Sequence, residues 1–160
     1  MIRTLILAVA LGGASVAVAK KMPTFSAQTP EGQTVNSASL LGKGPIVINF
    51  WATWCIPCMQ EMTAMKPMFE KYKSQGLQVI SISIDDAKTA VKVPAMVQLK
   101  AFPYMILLDP NKDIYNKFGI SNAPELLVID KNGKIVLHHQ GYTPGDEKET
   151  QKAVEELLKP

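Results

Sequence analysis

The sequence contains few cysteines and histidines, the residues that bind zinc and haem. It has 2 cysteines and 2 histidines among 160 residues. Cys55 and Cys58 form a Cys-x-x-Cys motif, and a closed zinc site on that motif would need two more ligands. His138 and His139 are neighbours in a predicted strand, so their side chains point to opposite faces and cannot both bind one metal. Covalent haem attachment needs histidine directly after the second cysteine, where this chain has Met59. We therefore expect no metal and no haem cofactor.

The chain has only a small excess of positive charge. The chain has 17 lysines and arginines against 14 aspartates and glutamates, a formal net charge of +3, and the basic residues are scattered. Nucleic-acid binding proteins cluster such residues into a basic patch, so nucleic acid is not expected as a partner. A chain of this length forms one domain with a buried core, and we expect it to be a monomer.

Charged residues are absent from most of the N-terminal segment. Residues 4–19 carry no charge, follow a basic residue, and end in small residues at Ala17 and Ala19. This pattern is typical of a secretory signal peptide cleaved after Ala19. The stretch is shorter than the roughly 20 residues needed to span a bilayer, which favours cleavage over an uncleaved anchor. We therefore predict a signal peptide at residues 1–19, one domain at residues 20–160, and export to the periplasm or the outer face of the cytoplasmic membrane.

The Cys-x-x-Cys motif follows a strongly apolar stretch. Residues 46–51 (IVINFW) predict a strand that is buried on both faces, and a helical pattern begins after Cys55. The free N–H groups and the dipole of a helix N-terminus favour an anion, so Cys55 should ionise more easily than an ordinary thiol. Cys58 lies one turn further on the same helix face, close enough to form a disulfide with Cys55. We therefore predict a redox site in which Cys55 attacks a substrate disulfide and Cys58 resolves the mixed disulfide.

Residues 49–58 (NFWATWCIPC) resemble the active-site turn of the thioredoxin superfamily. With Glu61 three residues after the second cysteine, the pattern is most similar to the TlpA/ResA-type exported thiol–disulfide oxidoreductases. The similarity extends from about Pro23 to the C-terminus and includes Ala123 and Pro124, which are placed like the family's cis-proline pair. The resemblance implies an α/β thioredoxin-like fold, a central mixed sheet flanked by helices, with an N-terminal β-hairpin extension and a βα insertion.

The resemblance also implies roles for residues outside the Cys-x-x-Cys motif. Glu61 would exchange protons with the thiols and raise their pKa, although glutamate on a helix is more commonly exposed to solvent. A cis bond before Pro124 would hold Ala123 beside the cysteines, with its backbone free to pair with a substrate strand. Glu125 stands where relatives often have threonine, and it would either disfavour the thiolate or meet solvent. Trp54 would cover the edge of the disulfide.

The dipeptide between the cysteines bears on the direction of electron transfer. Ile56 has no ionisable group and Pro57 lacks a backbone N–H, so neither offers the Cys55 thiolate a stabilising charge. Motifs that strongly stabilise the thiolate make oxidants, because they stabilise the reduced state. The sequence therefore favours a reductant, and we expect Trp54 and Pro57 among the residues that contact the substrate.

Four methionines follow at intervals of three residues, at Met59, Met62, Met65 and Met68. Thioethers suit Cu(I), which raises the alternative of a metallochaperone-type partner for copper-site cysteines. In a helix of 3.6 residues per turn, each step of three falls about 60° short of a full turn, so Met59 and Met68 end on opposite sides. Helix methionine more commonly packs in a core. We expect Met62 and Met65 in the core and Met59 at an exposed apolar rim near the cysteines.

The leading interpretation is an exported reductase of disulfides in other exported proteins. By resemblance, apocytochrome c thiols are one client class and a membrane protein is the upstream electron donor. A general thiol oxidant or isomerase is the second enzymatic interpretation, which a reduction potential would distinguish from a reductase. The metallochaperone-type partner is a different class, which tight Cu(I) binding would identify.

The predicted element order is hairpin–β–α–β–α–β–α–β–β–α, which matches the implied fold. Pro67 should interrupt the helix after the cysteines, because proline removes one helical hydrogen bond. Asp85 and Asp86 follow the second main strand and can cap the next helix. Asn132 and Gly133 lie between two apolar stretches and predict a type I′ hairpin turn.

Overall fold

The structure, a computed structural model, describes residues 20–159. The signal peptide predicted at residues 1–19 lies outside the described residues, and its cleavage stays a prediction. Within residues 20–159, no helix combines the length and the apolar character that crossing a membrane requires.

A seven-stranded mixed sheet forms the centre of the domain, with strand order β2-β1-β5-β4-β3-β6-β7. The strands are β1 (Ser26–Gln28), β2 (Thr34–Asn36), β3 (Ile46–Trp51), β4 (Gln78–Ser83), β5 (Met105–Leu108), β6 (Glu125–Ile129) and β7 (Ile135–Gln140). β3 pairs in parallel with β4 and antiparallel with β6, and all its residues are buried. The strand predicted before the cysteines is therefore confirmed, and the β1–β2 hairpin joins the sheet through β5.

Helices flank the sheet on both faces. They are α1 (Ile56–Ala64), α2 (Lys66–Tyr72), α3 (Val93–Lys100), α4 (Asp113–Phe118) and α5 (Glu147–Leu158). Side chains alternate along a strand, so Phe50 and Trp51 at the end of β3 point to opposite faces. Phe50 packs against Tyr115 and Phe118, which places α4 on the Phe50 face.

The face with Trp51 is covered by α1. Trp51 makes an edge contact with Phe102, whose ring stacks on Tyr104. The Tyr104 hydroxyl in turn donates a hydrogen bond to the carbonyl of Met62 in α1 (2.7 Å). The helix that carries the second cysteine therefore lies on the opposite side of the sheet from α4.

The helix after the cysteines is interrupted at the predicted place. α1 ends at Ala64, and α2 begins at Lys66 with Pro67 in its first turn, where a missing N–H removes no helical bond. The predicted break is confirmed.

The chain leaves this helix through Gly76, whose φ of 96° is in the left-handed region. A Cβ atom there would lie 2.4 Å from the carbonyl oxygen of Lys43, so the close approach of these two segments requires glycine.

The turn between β6 and β7 differs from the prediction. A type I′ turn needs a positive φ at both central residues; Gly133 has one (85°) and Asn132 does not. The Gly133 N–H donates to the carbonyl of Asp130 (3.0 Å). The Asp130 carboxylate accepts hydrogen bonds from the N–H groups of Asn132 (2.9 Å) and Lys134 (2.8 Å). The type I′ prediction was wrong because the aspartate side chain organises a longer loop with glycine at its left-handed position.

The helix cap predicted after β4 is not formed, because Asp86 organises a turn that precedes the helix. The Asp86 carboxylate accepts hydrogen bonds from the N–H groups of Lys88 and Thr89, both at 2.9 Å. The chain then forms a turn and a 3-10 helix at Ala90–Lys92 before α3 begins. The prediction that Asp85 caps this segment was wrong, because its side chain is buried beneath the turn that carries the cysteines.

Candidate redox site

The two cysteines lie at the N-terminus of α1 and are joined by a disulfide, with the sulfur atoms 2.01 Å apart. Cys55 is the N-cap residue, and its sulfur accepts a hydrogen bond from the Cys58 N–H (3.3 Å). The predicted position of Cys55 at the helix end is therefore confirmed. Cys55 is 5% exposed and Cys58 is 0% exposed. A second molecule can therefore reach an edge of Cys55 but not Cys58.

The residues around Cys55 present an apolar surface. Trp54 is 63% exposed, Ile56 is 73% exposed, and Met59 is half-buried; we call these three residues the apolar rim. Pro57 lies in the first turn of α1, where proline removes no intrahelical hydrogen bond. The loop and helix end thus expose apolar side chains beside the accessible edge of Cys55.

The methionines and histidines considered as metal ligands have other positions in the structure. Met62 and Met65 are fully buried, which confirms their predicted core positions. Throughout residues 20–159, no three His, Cys, Asp or Glu side chains are grouped so that they could hold a metal ion. His138 and His139 are bonded to different carboxylates, in agreement with their predicted opposite directions.

Asp85 supports the turn that leads into Cys55. It is 1% exposed, and its carboxylate accepts hydrogen bonds from the backbone N–H (2.8 Å) and the hydroxyl (2.6 Å) of Thr53. The hydroxyl of Ser83 donates a third hydrogen bond (2.9 Å). Sequence reasoning missed this contact. One signal in the sequence could have indicated it: an acid directly follows a strand that runs parallel to the central strand. The carboxyl ends of parallel strands meet at one edge of the sheet.

Glu61 is buried on α1, and the alternative of a solvent-exposed glutamate was wrong. It is 2% exposed, and its Oε2 atom has no hydrogen-bond partner within the described part of the chain. Burial raises the pKa of Glu61 from its ordinary value of 4.5 to about 8, because a carboxylate removed from water loses its solvation. Glu61 follows Cys58 by three residues, a spacing that places two side chains on one helix face. At neutral pH this carboxyl is mainly protonated.

A second acid strengthens the effect on Glu61. The charge of Asp146, at the N-cap of α5, is the next largest cause of the raised pKa of Glu61. The Asp146 carboxylate accepts a hydrogen bond from the Thr143 N–H (2.7 Å) and is bonded to His139 Nε2 (3.1 Å). These contacts fix a negative charge that opposes a second one on Glu61.

The Ala123–Pro124 peptide bond is cis, as the resemblance implies. Pro124 directly precedes β6, and Glu125 of β6 pairs with Phe50 near the end of β3. The cis-proline therefore lies at the edge of the sheet where β3 leads into the cysteine turn. The Pro124 carbonyl accepts a hydrogen bond from the Gly141 N–H (2.8 Å), which ties this point to the end of β7.

Glu125 does not meet solvent, so that alternative for it was wrong, and its carboxylate is directed away from the cysteine helix. Glu125 is 2% exposed. One carboxylate oxygen is bonded to His138 Nε2, and the other accepts a hydrogen bond from the Ser121 N–H (3.1 Å). Because Glu125 is paired with Phe50, its side chain points to the α4 face of the sheet, whereas the cysteine helix lies on the other face.

The sequence comparisons agree with this site. The model of the AhpC/TSA family matches residues 18–138. The thiol-disulfide oxidoreductase ResA of Bacillus thuringiensis subsp. konkukian is 31% identical over 142 residues, an alignment that covers 89% of this chain and 77% of the relative.

Solved structures show the same fold. A Chlorobium tepidum protein assigned as a thiol:disulfide interchange protein DsbE superposes with a TM-score of 0.81 at 27% identity, covering 88% of this chain and 97% of that one. A thioredoxin-like protein from Porphyromonas gingivalis has a TM-score of 0.73 at 36% identity, covering 86% of this chain and 91% of that one. The sheet, the helix-end cysteine pair and these similarities together place the chain in the AhpC/TSA family, among its ResA-like thiol–disulfide oxidoreductases.

Proposed function

We propose that the protein is an exported reductase that passes two electrons from its Cys55/Cys58 dithiol to disulfides in other exported proteins, oxidised apocytochrome c among them. The observation that carries this proposal is the buried carboxyl of Glu61, one helical turn beyond the buried Cys58. A buried thiol needs a nearby group to take its proton before it can act as a thiolate, and Glu61 is placed to be that group.

The reaction consists of two thiol–disulfide exchanges. The Cys55 thiolate attacks one sulfur of the client disulfide, whose S–S bond breaks, and the departing client thiolate takes up a proton. Cys58 then loses its proton and attacks the Cys55 sulfur of the mixed disulfide. The Cys55–Cys58 disulfide forms, and the second client sulfur leaves and is protonated. Two electrons and two protons have passed to the client.

Glu61 suits the second of these steps. The pKa of Glu61, about 8, is close to the ordinary thiol value of about 8.5. Proton transfer is most efficient between groups of similar pKa. In its carboxylate form, which is the minor form at pH 7, Glu61 would accept the proton of Cys58 and would then return it to the departing client thiolate.

The same surroundings favour reduction over oxidation. Burial of Cys58 opposes a thiolate, and the side chains of Ile56 and Pro57 add no positive charge. A pair whose thiolate is poorly stabilised releases its electrons readily. We therefore expect a reduction potential well below the roughly −120 mV of strongly oxidising periplasmic proteins.

The client is expected to bind as an extended segment next to its own disulfide. The backbone of Ala123, held beside the cysteine turn by the bond to Pro124, would pair with the client backbone. The apolar rim of Trp54, Ile56 and Met59 would contact client side chains, and their exposure supports this role. A peptide with an oxidised Cys-x-x-Cys-His sequence, the attachment motif of c-type haem, is the matching test substrate.

Export and an upstream donor complete the proposal. The pattern of residues 1–19 supports export, and the oxidised dithiol would be reduced again by a dithiol protein of the membrane. In a host that exports it, the mature protein should begin at Lys20 and fractionate with the periplasm. Retention of residues 1–19 on a membrane-bound protein would refute cleavage.

The deciding experiment is the equilibrium reduction potential of the Cys55–Cys58 pair, measured against glutathione and a stronger dithiol buffer. A value near or above −120 mV would refute the reductase and favour an oxidant.

Trapping of mixed disulfides tests which cysteine attacks the client. Cys58→Ser should accumulate mixed disulfides with the Cys-x-x-Cys-His peptide, and Cys55→Ser should accumulate far fewer. Equal trapping by both variants would show that the roles are not separated.

A further inference from the structure

We propose that Glu125, held by His138, is a positioning residue that fixes the segment Ser121–Pro124 in the shape that receives the client backbone. The inference rests on the proposed function, since it concerns how a polypeptide disulfide is bound. It assigns buried Glu125 and its exposed partner His138, neither of which the exchange reaction itself uses, to substrate binding.

The first support is the contact between Glu125 and the segment. Glu125 is the first residue of β6 and is 2% exposed. One of its carboxylate oxygens accepts the Ser121 N–H (3.1 Å), four residues earlier. The other is bonded to Nε2 of His138 on β7. The side chain thus spans from the strand pair to the start of the segment.

The second support is that both ends of the segment are tied down. At the start, the Ser121 hydroxyl accepts a hydrogen bond from the side-chain amide of Gln140 (2.8 Å). At the end, the Pro124 carbonyl accepts from the Gly141 N–H (2.8 Å). Between these anchors, Asn122 is exposed and Ala123 is half-buried. A short stretch fixed at both ends and accessible in the middle is suited to bind an extended chain.

The third support is the direction of the side chain. Glu125 points to the α4 face, where its charge contributes, after burial, to the raised pKa of Tyr115. The cysteine helix α1 lies on the opposite face. A buried carboxylate is costly unless it is paired, and the partners of Glu125 are His138 and the Ser121 N–H rather than the thiols. Its effect should therefore appear in client binding and not in the redox couple.

The test compares two substrates. Pre-reduced protein is mixed with the oxidised Cys-x-x-Cys-His peptide or with dithiobis(nitrobenzoate), a small disulfide without a backbone that could pair with Ala123. In Glu125→Leu, the Ser121 N–H loses its acceptor. We expect the half-saturating peptide concentration to rise about tenfold, with little change in the maximal rate, in the reduction potential or in the reaction with the small disulfide.

Two further variants separate positioning from general destabilisation. Glu125→Gln keeps an oxygen for the Ser121 N–H and should recover most of the peptide affinity. Val128→Ala removes buried volume from the same strand and should lower stability without raising the half-saturating concentration. Hydrogen exchange of the Ser121 amide should become faster in Glu125→Leu but not in Glu125→Gln.

The outcomes distinguish this inference from the proposed function. Wild-type protein that does not reduce the peptide would refute the proposed function, and the inference would fall with it. Wild-type activity with an unchanged half-saturating concentration in Glu125→Leu would refute the inference alone. An altered reduction potential, or equal losses with both substrates, would show that Glu125 acts on the thiols and would also overturn it.

Discussion

Burial of Glu61 predicts an unusual dependence of stability on pH. In the unfolded chain its carboxyl loses a proton above its ordinary pKa of 4.5, whereas in the folded protein the pKa is raised to about 8. Between these values the folded state holds a proton that the unfolded state has lost. Stability must therefore fall as the pH rises through this window and become constant above pH 8.

The magnitude follows from the two pKa values. Each pH unit between them corresponds to about 1.4 kcal/mol. The free energy of unfolding should therefore be lower by about 3 kcal/mol at pH 7, and by about 5 kcal/mol above pH 8, than below pH 4.5, as far as Glu61 contributes. Glu61→Gln keeps the shape but carries no charge at any pH. It should match the wild type at low pH and become the more stable protein as the pH rises.

The assay is denaturant unfolding of the oxidised proteins from pH 4 to pH 9, with the disulfide intact so that no thiol titrates. The quantity to compare is the difference in unfolding free energy between wild type and Glu61→Gln at each pH. Glu31→Gln, which changes an exposed glutamate in the first hairpin, is the matched control and should run parallel to the wild type. A constant difference between Glu61→Gln and wild type would refute a raised pKa for Glu61.

Three other predictions follow from the structure. Gly76→Ala places a Cβ atom 2.4 Å from a backbone oxygen and should cost about 2–4 kcal/mol in denaturant unfolding, whereas Gly32→Ala, with a positive φ but open space, should cost about 1 kcal/mol; equal losses would show that the close approach is unimportant. Asp85→Ala leaves three donors near the cysteine turn without their acceptor. The free energy of unfolding, measured by thermal unfolding, should fall by about 2–4 kcal/mol. A decrease of less than about 1 kcal/mol would contradict a supporting role for Asp85. In reduced Glu61→Gln, the rate of Cys55 alkylation should equal that of the wild type below pH 7 and exceed it above about pH 8, because only the wild type gains a carboxylate charge there. Superimposable profiles of rate against pH would refute an effect of the Glu61 charge on Cys55.

The features that the sequence predicted correctly depend on neighbours in the chain. The apolar stretch of residues 46–51 followed directly by a helical pattern was sufficient to place Cys55 at a helix end, because both signals are local periodicities. Pro67 interrupts the helix for an equally local reason, the missing N–H. The cis bond at Pro124 has no such local cause and was expected only because the surrounding motifs resemble those of a known family.

The features that the sequence did not predict depend on contacts between distant segments. An acid after a strand can organise the turn that follows it or reach across to a neighbouring turn, and Asp86 does the first and Asp85 the second. The choice is made by Thr53, which lies 32 residues before Asp85 and is adjacent only once the parallel strands have paired. Glu125 likewise pairs with His138 of the next strand, a contact that no periodicity in the sequence indicates.

Glu61 and Glu125 show why a buried acid near a redox pair need not act on it. Both are 2% exposed, and both lie within three residues of a motif that defines the site. Glu61 is on the helix of the cysteines, one turn beyond Cys58, so its charge and its proton bear on the thiols. Glu125 pairs with Phe50 and points to the other face of the sheet, so its charge bears on the segment that would receive the client. Because the sheet separates the two carboxyl groups, reduction potential and client affinity should respond to different substitutions. Changes at Glu61 should alter the potential and its pH dependence, and changes at Glu125 should alter affinity for a polypeptide while the potential stays constant.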